Sequence, residues 1–268
     1  IDLLVGSPNY VKTPRFNQKR NYENSKWENF RTFKKTVIVK EDATDIEKCK
    51  MDIRDLLNKL TEKTYEAISV DIFKIMDDLC EDNMKVICPI IFDIMSSNIF
   101  YSGEYTSLFK EMIEKYEIVL SLFKSNFSNF LNIFKTIEYI SSEEDYNEFC
   151  KINKTNEKRR AQSKFFSNLM LKDIIPKINI LKIVLTLQER IVLYIDDDKN
   201  KHIIEEIIEN IYIIIETIHN SIDADNDHMK LIITNVKWVL DNQDEYNSVS
   251  NKAVFKYMDI LDHLKIEY

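Results

Sequence analysis

The sequence predicts an all-α protein, a helical-repeat solenoid of about ten antiparallel helices behind an irregular basic tail. Three observations predict it. Only two glycines (Gly6, Gly103) and four prolines (Pro8, Pro14, Pro89, Pro176) occur in 268 residues, whereas tight hairpins and sheet crossovers lean on Gly-rich turns. From Asp45 onward, apolar residues recur at spacings of three and four, one stripe per helix. The implied helix pairs recur every ~40 residues, within the range of HEAT-type repeats. No strict sequence period accompanies them, and a compact bundle is the competing architecture.

Residues 1–44 read as a tail. Gly6, Pro8 and Pro14 interrupt it, and Trp27, Phe30 and Phe33 sit among Lys26, Arg31, Lys34 and Lys35. Residues 36–39 suit an extended run. Such a segment orders against its own body or against a partner.

Residues 45–268 read as the helical-repeat domain. Ile46, Cys49, Ile53, Leu56, Leu57 and Leu60 form the stripe of a first helix. Thr61 fits as the N-cap of a second helix reaching about Leu79. A third spans residues 83–95, with Met84, Ile87, Ile91 and Ile94 inward. Pro89 should kink it or break its first turn. A fourth follows Gly103, and a long fifth covers residues 116–140. Ser141 with Glu144 has the capping-box pattern for a helix near Phe149. Further helices are expected at residues 156–171, 177–194, 201–220, 225–240 and 250–264, with Pro176 placed where a first turn tolerates it. The helix at 201–220 is apolar on more than one face, which predicts a position sandwiched between neighbours.

The charge is divided unevenly. Residues 1–40 carry nine Lys/Arg against three Asp/Glu, and residues 41–268 carry 28 against 42, so +6 and −14 give the net −8. An acidic body disfavours general nucleic-acid binding, which needs concentrated positive charge; RNA contact would have to be local. Cys49, Cys80, Cys88 and Cys150 show no paired spacing and read as buried, reduced thiols, which implies a cytoplasmic protein. The longest apolar run, residues 211–215, is far short of the ~20 residues of a membrane span. Residue 1 is Ile and no signal-like stretch follows it, so further chain is expected upstream. Heavy use of Ile, Lys, Asn and Tyr fits an AT-rich genome, such as that of a large DNA virus or a protist.

Catalytic patterns are scarce. Two isolated glycines cannot cradle a phosphate. His202 and Glu205 half-match a helical metal pair but have no second His one turn on. Residues 196–198, three consecutive Asp, suit either a hard cation or a charged loop, and Glu143, Glu144 and Asp145 suit a helix N-terminus. No cofactor, metal or enzymatic activity is expected.

Four stretches carry a family resemblance. Residues 53–61 (Ile-Arg-Asp-Leu-Leu-Asn-Lys-Leu-Thr) followed by Tyr65 form the sharpest. Residues 90–94 with 105–109 are the second, the basic-then-apolar residues 157–169 the third, and residues 250–261 the last. In order and separation they resemble the middle domain of eukaryotic translation initiation factor 4 gamma. The resemblance implies a scaffold of HEAT-type pairs that holds a DEAD-box RNA helicase, initiation factor 4A, in an active form and contacts RNA. It also implies helicase contact through Trp27 and through the turn Asn58, Lys59 and Thr61. Trp27 would otherwise pack on its own body, and the turn would otherwise be no more than a connection between helices. Leu57, Leu60 and Tyr65 are expected in the core. RNA contact would fall to Lys158, Arg159, Arg160 and Lys164, in a stretch that a solvated helix face explains equally well.

Family members bind the cap-binding protein through Tyr-x-x-x-x-Leu-apolar. Tyr10, Tyr22 and Tyr116 lack the Leu, so that partner would be reached only through segments upstream. No membrane partner is expected. The alternatives are a related helical-repeat adaptor in RNA decay, nuclear cap binding or splicing, and a protein-binding module unrelated to RNA.

Overall fold

A computed structural model of the chain describes residues 44–223 and 226–267, all within the second of two units, Ala43–Tyr268. Ten α-helices, and no strand, occur among the described residues: α1 (Asp45–Asn58), α2 (Tyr65–Asp77), α3 (Glu81–Ser96), α4 (Ser102–Lys115), α5 (Glu117–Asn129), α6 (Tyr146–Leu171), α7 (Lys177–Tyr194), α8 (Lys201–Ile218), α9 (Asp227–Asp241) and α10 (Asn251–His263).

The helices form two layers. In one, α4, α6, α8 and α10 pack side by side in that order; in the other, α1 packs on α3, α3 on α5, and α7 on α9. Partners of a pair, such as α1 with α2 or α7 with α8, join the layers. This is the expected helical-repeat solenoid, in which each element contacts its neighbours in sequence.

Two kinds of core fill the stack. Between α3, α4, α5 and α6, Phe92, Phe109, Phe123, Phe130, Phe165 and Phe166 form a network whose linked ring centroids lie 4.8–6.5 Å apart. Such edge-to-face and tilted pairs add to the area that the rings bury. Further along, α8 is surrounded by α6, α7 and α10, and Ile204, Ile207, Ile208, Ile211, Ile215 and Ile218 are all sealed from water. Each buried isoleucine contributes roughly 1.5–3 kcal/mol. The multi-faced apolar pattern of this helix is therefore explained by its central place.

Helix ends depart from glycine-based stops. After α6, Asp173 adopts φ 63°, its N–H bonding Met170 O while Ile174 N–H bonds Leu169 O; after α10, Lys265 (φ 56°) and Ile266 repeat the arrangement. Both are Schellman caps with a non-glycine residue in the left-handed position.

Several boundaries differ from expectation. Thr61 does not cap α2. Its N–H donates to Thr64 Oγ1 (2.9 Å), Thr64 Oγ1 donates to Lys59 O (2.7 Å), and α2 begins only at Tyr65. Pro89 neither breaks α3 nor falls in its first turn; the helix runs through it to Ser96, with the proline on the exposed side. The expected 116–140 helix stops at Asn129. There Asn126 and Asn129 side chains bond the Leu122 and Ser125 carbonyls, and a 3-10 turn, Phe130–Phe134, swings two rings inward.

Ser141 and Glu144 do exchange the reciprocal bonds of a capping box (3.3 and 3.4 Å). They close a turn, however, while Asp145 caps α6 by accepting from Asn147 and Glu148 N–H. The two helices expected near 149 and at 156–171 are one 26-residue helix. Of the four thiols, all free, only Cys88 is buried; Cys49 is half-buried, and Cys80 and Cys150 are exposed.

Candidate partner-docking face

The α1–α2 turn separates its residues as an interface element would. Leu57 and Leu60 are buried (0% and 1% exposed) and Tyr65 half-buried, while Asn58 and Lys59 between them face solvent. Tyr105 from α4 donates its hydroxyl to Leu57 O (3.0 Å), so a buried residue of the next pair fixes the end of α1. The Thr61–Thr64 bonds hold the rest of the turn.

Surface depressions flank this end of the stack. Asn58 borders one of about 310 Å³ between α1 and α3, with Arg54, Pro89 and Asp93. Lys59 borders one of about 420 Å³ between α1 and α2, with Asp52, Asp55, Asp71 and Asp78. The largest, about 740 Å³, lies between α2 and α4 and includes Val70, Phe73, Asp77, Asp78, Glu111 and Glu114.

Across this last groove, side chains link α2 to α4. Tyr65 Oη donates to Glu111 Oε1 (2.5 Å), Lys115 Nζ and Tyr116 Oη donate to Asp77 (2.6 and 2.7 Å), and Phe73 stacks on Tyr116 at 6.2 Å. Hydrogen bonds from Lys115, then from Tyr116, hold the Asp77 carboxyl below the usual carboxylate range, against a smaller opposing effect of burial. Burial first, and then the Asp77 carboxylate, pushes the Tyr116 phenol up, so it stays a donor. Sequence reasoning missed this groove. The available signal was Val70, an apolar residue off the stripe formed by Ile68, Ile72, Ile75 and Met76.

The basic stretch of α6 corrects an expectation. Arg159 is buried (3% exposed): Nε donates to Ile133 O (3.1 Å), a second nitrogen to Asn156 Oδ1 (2.5 Å), and its guanidinium lies 3.6 Å from Glu206 of α8. It cannot present itself to a phosphate. Arg160 forks onto the same carboxylate through Nε and Nη2 (3.1 and 2.5 Å). Asn210 donates to Glu206 Oε1 (2.9 Å) and accepts from Ser163 (2.7 Å), completing a buried polar network between α6 and α8. Burial lowers the Arg159 pKa. For Arg160 burial also pulls downward, but the bonds and charge of Glu206 outweigh it and the value rises. Lys158 pairs with Asp93, and Lys164 lies 3.7 Å from Glu216; both remain partly accessible. Trp27 lies outside the described residues.

No protein-family model and no curated protein matches this chain.

The remaining chemistry-bearing residues fall into ordinary surroundings. His202 stacks on Tyr139 (centroids 3.4 Å, planes 12° apart) and sits 3.6 Å from Glu205. Asp197 caps a 3-10 turn by accepting from Lys199 N–H. Among the described residues no group of three or more His, Cys, Asp or Glu could hold a metal ion, and no helix is long and apolar enough to cross a membrane.

Proposed function

We propose that this chain is a translation-initiation scaffold that docks a DEAD-box RNA helicase of the initiation factor 4A type, without hydrolysing ATP itself. The observation that carries the reading is the α1–α2 turn: its two leucines are locked in the core while Asn58 and Lys59 project between surface depressions. The segment with the sharpest resemblance to the initiation factor thus combines a rigid base with accessible polar groups. A solenoid adds edges along which two lobes of a partner can be held at once, and such bivalent contact disfavours an open helicase.

RNA contact is the weaker part of the proposal. With Arg159 and Arg160 engaged by Glu206, it rests on Lys158 and Lys164, each of which has an acidic neighbour.

The test is the RNA-dependent ATPase rate of a purified initiation factor 4A-type helicase with and without the full chain. Stimulation is expected, reduced by Lys59→Glu. An unchanged rate, with both proteins shown folded by circular dichroism, would remove the helicase reading. Stimulation confined to a helicase paralogue of RNA decay or splicing would reassign the adaptor.

A further inference from the structure

We propose that the groove between α2 and α4 docks a lysine- or arginine-rich segment of a partner protein carrying one apolar anchor residue. The proposal does not depend on the helicase reading, although the groove shares Lys74 and Asp78 with the depression that Lys59 borders. The groove combines an apolar floor with an acidic rim. Val70 is 66% exposed although it lies mid-helix, and Phe73 beside it is only half covered. Exposed aliphatic surface of this kind, set in a depression of about 740 Å³, suits a single inserted side chain.

The rim decides which partner fits. The lining carries Lys74, Asp77 and Asp78 on the α2 side and Glu111, Glu114 and Lys115 on the α4 side. Lys115 is already committed: its amine bonds Asp77 at 2.6 Å and rests over the Phe73 ring at 5.1 Å. Asp77 is committed in return. Among the described residues Asp78 and Glu114 have no ion-pair partner, and Glu111 accepts from the neutral Tyr65 hydroxyl. Among those residues the lining therefore holds one unpaired lysine, Lys74, against three carboxylates without a cationic partner. On the other side of α2, the α1–α2 depression shares Lys74 and Asp78 and adds Asp52, Asp55 and Asp71 against Lys59, so the excess of carboxylates extends around the helix. Nucleic acid and anionic lipid are repelled by such a field, whereas a basic peptide is drawn to it and oriented.

The 2.5 Å Tyr65–Glu111 bond and the Asp77–Lys115–Tyr116 cluster tie α2 to α4. The groove is thus formed before anything binds, which spares an incoming segment the cost of opening it.

The experiment uses the full chain and a fluorescein-labelled twelve-residue peptide of lysines and serines around one central leucine, with a Glu-for-Lys peptide as comparison, followed by anisotropy. The Lys peptide is expected to bind, weakening as salt rises from 50 to 300 mM, and the Glu peptide is expected not to bind. The double variant Asp78→Lys/Glu114→Lys should weaken binding at least ten-fold. The remote double variant Glu138→Lys/Glu143→Lys should leave it unchanged. Val70→Lys, which leaves every rim carboxylate in place, should also weaken binding and serves if the double variant melts early. Equal losses in groove and remote variants would reduce the effect to net charge and overturn the proposal. So would binding that survives the groove variants, absence of binding, or a dimer in light scattering that the groove variants dissolve.

Discussion

The α6–α8–α10 region and the α1–α2 end use charge in opposite ways. Around α8, Glu206 is 4% exposed and pairs with the buried Arg159 and the partly exposed Arg160 on an otherwise isoleucine-rich helix. At α2, the Asp77–Lys115 pair sits on a half-exposed surface beside exposed Val70 and half-buried Phe73. A buried ion pair is costly to desolvate and more costly to break, so it fixes how two helices register. A surface pair contributes little. One region is closed by its own sequence; at the other, charge and apolar area stay exposed among the described residues.

The largest expected effect tests the closed region. Glu206→Ala removes the carboxylate that balances Arg159 and Arg160, leaving the buried Arg159 charge uncompensated, and should cost about 3–5 kcal/mol, lowering Tm by roughly 10 °C. Arg160→Ala should cost only about 1 kcal/mol, because Arg160 is partly exposed and Glu206 keeps Arg159. Thermal melts followed by circular dichroism compare the two. Equal losses would mean that Arg160, not the buried Arg159, carries the register, and the contrast drawn above would fail.

How far the sequence could be read follows the same division. Both ends of α7, Lys177 and Tyr194, were legible because apolar spacing, Pro176 and the acidic residues 196–198 agree. The central place of α8 was legible from its isoleucines. The continuity of α6 was not: the sequence predicts a helix near Phe149 and another at 156–171, because the first three turns from Tyr146 expose most of their side chains and carry no apolar stripe that would join the two. The Phe130–Phe134 turn was hidden for the opposite reason, since its apolar residues fit a helix equally well.

Among the site residues, the exposure of Asn58 and Lys59 between two buried leucines follows from helix spacing. Arg159 read as a surface cation because its partner lies 47 positions away; the missed hint was Glu206 and Asn210, one turn apart on an otherwise isoleucine face. Scarcity of glycine pointed to helices but gave no sign that Asp173 and Lys265 would take left-handed caps.

Those caps give a medium-sized test at the boundary between α6 and α7. Asp173→Gly removes the steric cost of φ 63° at the price of a looser unfolded chain. The net expectation is a gain of about 0.5–1 kcal/mol, seen as a Tm raised by roughly 2 °C. A loss would show that the Asp173 side chain contributes an interaction beyond its backbone geometry.

The smallest effect belongs to the open end and is read through pH. Asp77 is held below the usual carboxylate pKa by Lys115 and Tyr116. Its contribution is therefore present above the unfolded value of about 4 and is lost as pH falls through the lower folded value. Asp77→Asn should melt slightly below the parent at pH 6, and the gap should close as pH falls toward 3. Glu206→Ala should remain far below the parent at pH 6. A large Asp77→Asn loss at pH 6 would mean that the α2–α4 bridge is as strong as the buried triad. That end would then be held as firmly as the α6–α8 core, and the contrast between the two regions would fail, while Asp78, Glu111 and Glu114 would still line the groove.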